Sequence, residues 1–99
     1  MEQLKTENVR TSQRRVPFAV TAPRAEKVVV TGDFTQWSRE GIPLRKASNG
    51  QWGAVLSLPP GEHQYRLIID GEWCDDPMAK KSVPNQFGGS NGVIEVRER

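Results

Sequence analysis

Short stretches of alternating apolar and polar residues, each ended by a turn signal, constrain this sequence more than any other feature. The alternation has the period of two expected of a β-strand with one buried face. It is clearest at 16–22, 52–58 and 62–70. The last of these stretches ends in Asp70-Gly71, a two-residue hairpin signal. Because no segment has a helical period of useful length, we predict an all-β chain.

About seven short strands follow from these patterns. They are 16–22, 27–31, 42–44, 52–58, 62–70, 72–74 and 93–96. Pro17 cannot donate to a sheet ladder, which predicts that the first strand lies at an edge. Short strands separated by turns are typical of an antiparallel β-sandwich, and we predict an immunoglobulin-like sandwich of the early-set type. The segment 75–90 is predicted to be a long polar loop, a kind of loop that is often functional.

Length and composition allow one domain with a modest core. The chain has 99 residues. Residues 1–14 are predicted to be a flexible arm and 15–99 the folded domain. The formal net charge of +2 argues against a nucleic-acid partner, which needs basic residues clustered on one face. A single cysteine, Cys74, and the lack of an apolar N-terminal run predict a cytoplasmic protein without disulfides or membrane contact.

Catalytic and metal-binding patterns are weak in this sequence. The one histidine, His63, lies mid-strand on the apolar face, which favours a structural role. Asp75 and Asp76 are adjacent and precede Pro77, which is typical of a turn rather than of an acid–base pair. Together with Cys74 they form one contiguous group without a second cluster at metal-ligand spacing. We therefore predict no enzyme activity, no metal and no cofactor.

The three tryptophans carry more information. Trp52 falls on the alternating apolar face of its strand, so we predict that it packs in the core. Trp37 lies in a polar loop, and Trp73 follows the hairpin turn. Aromatic residues in loops either plug a core or mark a binding site, and position alone leaves both readings equally open.

A sugar ligand would explain exposed indole rings. One face of a pyranose ring is a patch of C–H groups that stacks on an electron-rich indole, while its hydroxyl rim needs directed hydrogen bonds. Gln64, Arg66 and Asn91 could supply these bonds. The alternative for Arg66 is a solvated surface arginine.

Several motifs resemble carbohydrate-binding module family 48. The first is VVVTGDFTQWS at 28–38, and the second is LPPGEHQYR at 58–66, which runs on to DGEW at 70–73. Asp76-Pro77 and the closing NGVIEV at 91–96 are also similar. The family includes the glycogen-binding domain of the AMP-activated protein kinase β subunit, to which the resemblance is closest.

The resemblance implies a non-catalytic module that binds α-1,4-linked glucans such as glycogen, starch and maltooligosaccharides. In the family two tryptophans hold a curved glucan, and Trp37 and Trp73 occupy the matching positions. A basic strand residue, an asparagine and an apolar side chain complete that site, and they correspond to Arg66, Asn91 and Phe87. The implied partner is an α-glucan, and the identity of any protein partner is left open.

Four positions depart from the family pattern. Arg66 replaces a lysine, Thr35 an asparagine, Phe87 a leucine and Gly89 a threonine, and the long loop is one residue longer. A guanidinium is not equivalent to an ammonium, and Gly89 has no hydroxyl to bind sugar, so it is not assigned to the site. The alternative function is a protein-interaction or regulatory scaffold domain that keeps the sandwich without binding sugar.

Overall fold

The computed structural model describes residues 13–97, so the predicted arm lies outside the described residues except at its C-terminal end. Two short 3-10 turns, Asp33–Thr35 and Ser48–Gly50, interrupt a chain of strands. Within 13–97 no helix is long and apolar enough to cross a membrane. The strands are β1 (Arg14–Thr21), β2 (Val28–Gly32), β3 (Ile42–Pro43), β4 (Arg45–Lys46), β5 (Gln51–Leu58), β6 (Gly61–Ile69), β7 (Glu72–Cys74), β8 (Ser82–Pro84) and β9 (Ser90–Val96).

These strands form two antiparallel sheets. One has the order β1-β5-β4, and the other has the order β3-β2-β6-β9-β8, with β7 paired to β6. The prediction of an all-β antiparallel sandwich is confirmed. Pro17 pairs with Val55 in the edge strand β1, as its missing N–H requires.

The core lies between the two sheets and follows the alternation in the sequence. Tyr65 and Leu67 of β6 face Leu56 of β5, and each is almost fully buried. Trp52 is 6% exposed, which confirms its predicted core position. Its indole N–H donates to the carbonyl of Ala22 at 3.0 Å, so burial leaves no unpaired donor on the ring.

The sequence patterns did not predict two of the strands, β4 and β8. Within the predicted loop 75–90, β8 pairs with the start of β9, where Val83 lies opposite Asn91. Val83 is the one aliphatic residue of this strand, and β9 opens with the turn-forming residues Ser90, Asn91 and Gly92. A period of two could not be recognised in either stretch, so β9 was predicted to begin only at Val93.

Strand β6 directs alternate side chains to the outer face of the larger sheet. Tyr65 and Leu67 point into the core, so the alternating residues Gln64, Arg66 and Ile68 point to the opposite face. Ile68 lies opposite Trp73 in the β6–β7 hairpin. The hairpin predicted from Asp70-Gly71 is therefore present, and it brings Trp73 beside the outward residues of β6.

Candidate functional site

An open groove of about 760 Å³ lies on this outward face. It brings together the five residues that the family resemblance assigned to the sugar site. Gln64, considered as a polar edge of a sugar site, also lines it. The groove-lining residues predicted from sequence are Trp37, Gln64, Arg66, Trp73, Phe87 and Asn91.

Trp37 is presented to the groove by an unusual backbone. Gln36 and Trp37 both adopt left-handed conformations, with φ of 53° and 57°. Such angles are uncommon for residues with a β-carbon, and they concentrate at functional sites. The N–H of Trp37 donates to the carbonyl of Gly32 at 2.9 Å, while the side chain stays 36% exposed. The backbone is thus anchored and the indole remains accessible.

Two threonines fasten the Trp37 loop to β2. Thr31 is fully buried, and its hydroxyl donates to the carbonyl of Ser38 at 2.7 Å. The hydroxyls of Thr31 and Thr35 lie 2.8 Å apart, and Thr35 accepts from the N–H of Gly32 at 3.0 Å. Thr35 therefore holds the Trp37 loop to the end of β2.

A charged pair, Arg66 and Asp75, lies beside Trp73. The guanidinium carbon of Arg66 lies 6.0 Å from the ring centroid of Trp73, within range of a cation–π attraction. Arg66 Nη2 donates to Asp75 Oδ1 at 2.7 Å, and Asp75 Oδ2 accepts from the N–H of Ser90 at 3.2 Å. The Arg66 side chain is only 19% exposed, so it is not a solvated surface arginine. Its Nε is buried and has no partner among the described residues.

Gly89 lies close to the carboxylate of Asp75, which pairs with Arg66. A β-carbon at Gly89 would lie 3.0 Å from Asp75 Oδ1, closer than nearly all real contacts of this kind. A side chain at 89 would therefore require the carboxylate that holds Arg66 to shift by a few tenths of an ångström. Asp75 thus lies against both Arg66 and position 89.

A hydrogen bond joins the two segments that carry the tryptophans. Arg39, two residues after Trp37, donates from Nη2 to the carbonyl of Gly71 at 2.9 Å. Gly71 belongs to the turn that precedes Trp73. We call this contact the Arg39–Gly71 bridge. It restrains the Trp37 loop relative to the β6–β7 hairpin from outside the groove.

The opposite rim is a compact turn at 85–89. The N–H of Asn85 donates to the carbonyl of Gly89 at 2.9 Å. Its side-chain Oδ1 accepts from the N–H groups of Phe87 and Gly89, at 2.9 and 3.1 Å. Gly88 takes a positive φ of 89° at the tip, and Phe87 is left 80% exposed at the groove. An apolar ring so exposed in a closed turn is available to a ligand.

His63 lies apart from the groove lining. Its Nε2 is 2.8 Å from the carbonyl of Pro59, and its Nδ1 is 3.4 Å from Asp33 Oδ1. The side chain is 13% exposed, and these contacts fit the structural role predicted for it. Within 13–97 no three His, Cys, Asp or Glu side chains are grouped closely enough to hold a metal ion.

Sequence reasoning missed three residues that build the site: Arg39, Asp75 and Asn85. Asp75 was interpreted as part of an ordinary turn before proline. Arg39 and Asn85 lie in polar segments where such residues are common. Their roles depend on contacts between separate segments, and no local pattern signals them.

An antiparallel β-sandwich that displays two surface tryptophans and side-chain amides around an open groove is the architecture of a carbohydrate-binding module. The sequence model of the family described as "Glycogen recognition site of AMP-activated protein kinase" matches residues 17–99. The chain belongs to this family, which confirms the resemblance drawn from the motifs, and its function at family level is glycogen recognition.

Similar proteins agree with this assignment. The chain is 38% identical to 5'-AMP-activated protein kinase subunit beta-1 of Sus scrofa over 73 residues, which are 74% of this chain and 57% of that protein. It is 36% identical to subunit beta-2 of Mus musculus over 93 residues, 93% of this chain and 33% of that one. The chain therefore spans less than two thirds of the length of each of these relatives.

Proposed function

We propose that the groove binds an α-1,4-linked glucan, with Trp37 and Trp73 as stacking platforms. The observation that carries the proposal is that both indoles line one open groove although they come from different segments. Stacking on a pyranose face needs an accessible aromatic ring, and polar groups beside it serve the hydroxyls. The groove offers both.

Each remaining residue of the groove has a distinct part in this proposal. Gln64 and Asn91 provide amides for the hydroxyl rim, and Phe87 packs its exposed ring against the sugar. Arg66 acts through Trp73, because its guanidinium lies over that ring and Asp75 already engages its Nη2. This differs from the direct sugar contact that the family's lysine implies for the position.

The composition of the groove supports a binding role without chemistry. Glycoside hydrolysis uses two carboxyl groups that flank the scissile bond. Among the described residues that line the groove, Arg66 is the single ionisable one. Such a shallow, open site suits weak binding, with a Kd of roughly micromolar to sub-millimolar.

Titration of the chain with maltoheptaose tests the proposal, with a β-1,4-linked glucan oligosaccharide as the control ligand. We expect saturable changes in tryptophan fluorescence and amide shifts confined to the residues around Trp37, Trp73 and Asn91. The β-linked oligosaccharide should cause much smaller changes, because its chain is straighter. Unchanged spectra with maltoheptaose, or shifts centred on the three-stranded sheet, would refute the proposal.

A second role, contact with a protein partner, is favoured by one observation: the relatives are named as subunits of a kinase. We propose that the protein containing this chain joins such an assembly and that the groove supplies its glucan contact. A Trp73→Ala variant of the whole protein should lose co-sedimentation with glycogen and keep its kinase partner. Loss of both together, in a folded variant, would contradict this division of roles.

A further inference from the structure

Three side-chain amides at the rim of the groove form one hydrogen-bonded chain. Asn85 Nδ2 donates to Asn91 Oδ1 at 3.1 Å, and Asn91 Nδ2 donates to Gln64 Oε1 at 3.0 Å. Gln64 is the last member, and within 13–97 its Nε2 has no protein acceptor. We call this arrangement the amide relay. It links the 85–89 turn to the outward face of β6.

The direction of the amide relay is set by backbone groups that cannot turn round. Asn85 Oδ1 accepts from the N–H groups of Phe87 and Gly89, so the atom at this position must be an oxygen. Asn85 therefore offers its Nδ2 to Asn91, whose facing atom must in turn be an oxygen. Because its oxygen faces Asn85, Asn91 presents its Nδ2 to Gln64, and the facing Gln64 atom must be the acceptor Oε1. The groove consequently receives the Gln64 amide as a donor.

We propose that Asn85 is a positioning residue that keeps the Gln64 Nε2 group directed at a glucan oxygen. The proposal rests on the glucan binding proposed above and assigns Gln64 as a direct sugar contact. Ring and glycosidic oxygens can only accept hydrogen bonds, so a fixed donor can address them and a fixed acceptor cannot. A side-chain amide free to flip could offer either end. The relay removes that freedom before the sugar arrives.

The substitution Asn85→Asp separates the positioning role from the structural one. A carboxylate still accepts from the N–H groups of Phe87 and Gly89, so the 85–89 turn is kept. It has no donor for Asn91, which must reverse and present its Nδ2 to the carboxylate. Asn91 Oδ1 then accepts from Gln64 Nε2, and the groove receives the Gln64 carbonyl instead.

Two further variants complete the set. Asn85→Ala removes the acceptor of the turn as well as the relay, so it should loosen Phe87 and weaken binding. Asn49→Asp makes the same charge change at the exposed Ser48–Gly50 turn, which does not line the groove. Asn49 has a positive φ of 64°, a conformation that aspartate tolerates.

Binding of maltoheptaose and the NMR signals of the side-chain amides are the two measurements. In Asn85→Asp we expect about fivefold weaker binding, the effect of one lost hydrogen bond, with an unchanged melting temperature. The Gln64 amide protons should show slower solvent exchange than in the wild type, because they become bonded to Asn91. Asn49→Asp should behave as the wild type.

Wild-type affinity in Asn85→Asp, with or without reversal of the amides, would overturn the proposal. So would an equal loss of affinity in Asn49→Asp, which would assign the effect to charge. If the wild type does not bind maltoheptaose at all, the proposed function fails instead, and the exchange rates of the Gln64 amide still report whether the relay has the stated direction.

Discussion

The guanidinium of Arg66 lies over the indole ring of Trp73, with its carbon 6.0 Å from the ring centroid. Asp75 holds the same guanidinium at 2.7 Å. An arginine can make both contacts at once because its planar group stacks with its face and donates with its edge. The guanidinium of Arg66 therefore links the Trp73 ring to the carboxylate of Asp75.

Removing this link should weaken binding more than stability. We expect Arg66→Ala to reduce maltoheptaose affinity about tenfold, since Trp73 loses its cation–π partner and Asp75 loses its ion-pair partner. The change in the free energy of unfolding should stay within about 1 kcal/mol, because the ion pair is partly exposed. Arg66→Lys keeps the charge without the planar guanidinium, so its affinity should lie between that of the wild type and that of Arg66→Ala. Calorimetric titration and urea unfolding measure the two quantities, and wild-type affinity in Arg66→Ala would contradict the expectation.

The tryptophans should divide into binding and core residues. Trp37→Ala and Trp73→Ala should each lower glucan affinity by about thirtyfold or more, the effect of losing an aromatic anchor, with the fold retained. Trp52→Ala serves as the contrast, because it creates a core cavity and should cost about 3–5 kcal/mol of stability. Circular dichroism and calorimetric titration of the three variants distinguish the classes. Unfolding of Trp73→Ala would show instead that Trp73 is a core residue.

The hydroxyl of Tyr65 should make stability depend on alkaline pH. It donates to Asp76 Oδ2 at 2.5 Å. Burial, followed by the hydrogen bond and the charge of Asp76, raises the pKa of Tyr65 above its ordinary value of 10.0. A group whose pKa is raised in the folded state stabilises the fold below its unfolded pKa, and that contribution declines as the pH rises beyond it. Stability should therefore fall above about pH 10.

Tyr65→Phe tests this directly, since Tyr65 is the one tyrosine of the chain. The variant should lose about 2 kcal/mol at neutral pH, the value of a hydrogen bond to a charged acceptor. Its stability should also decline less than that of the wild type on going to alkaline pH. Parallel urea titrations across the alkaline range measure the difference. Two curves of identical pH dependence would assign the decline to other groups.

Lys81 should neutralise a repulsion between opposed strands. Glu62 of β6 lies directly opposite Glu95 of β9, and Lys81 Nζ contacts both, at 2.6 and 3.1 Å. The hydrogen bond from Lys81 is the main cause of the lowered pKa of Glu62, and the hydrogen bond to Glu62 is the main cause of the raised pKa of Lys81. The contribution of Glu62 to stability is present above its ordinary pKa of 4.5. It is lost as the pH falls through the lowered pKa of the folded state.

Lys81→Gln should therefore be less stable than the wild type near neutral pH, where two carboxylates face each other without a cation. The gap should narrow in acid, because protonation removes the repulsion in the variant and the ion pairs in the wild type. High salt should also narrow it, since these side chains are exposed. Urea midpoints over the acid range provide the measurement, and a gap that widens in acid would contradict this account.

The buried Thr31 hydroxyl should affect the site through the Trp37 loop. In Thr31→Val the Ser38 carbonyl loses its donor and Thr35 loses a hydroxyl partner, while the side-chain volume hardly changes. We expect a loss of about 1–2 kcal/mol in stability and weaker glucan binding, because the left-handed turn at Trp37 is held less firmly. The amide signal of Trp37 should broaden. A variant with lower stability but an unaltered Trp37 signal and unaltered affinity would show that the threonine pair does not position the indole.

Much of the fold could be predicted because it depends on local periodicity. Alternation in β1, β5 and β6 has the correct faces, and it assigned Trp52 to the core. The strand β8 could not be recognised, since three residues with one aliphatic side chain carry no period. It forms because β9 offers a partner, and this pairing is a property of the folded chain.

The sequence predicted which residues line the site better than it predicted the contacts between them. The residue types and motifs selected Trp37, Trp73, Phe87 and Asn91, and these side chains do share one groove. Their roles in binding sugar stay predictions. The pairing of Arg66 with Asp75 could not be derived, because spacing does not tell which of several carboxylates an arginine meets.

The Arg39–Gly71 bridge links the two tryptophan-bearing segments from outside the groove. Neither residue lines the groove, yet the contact restrains the two segments that present its indole rings. A shorter side chain at position 39 would remove this restraint without altering any residue that lines the groove. Under the proposed function, the relative placement of the two tryptophans is thus open to evolution, or to an engineer, at a residue outside the groove.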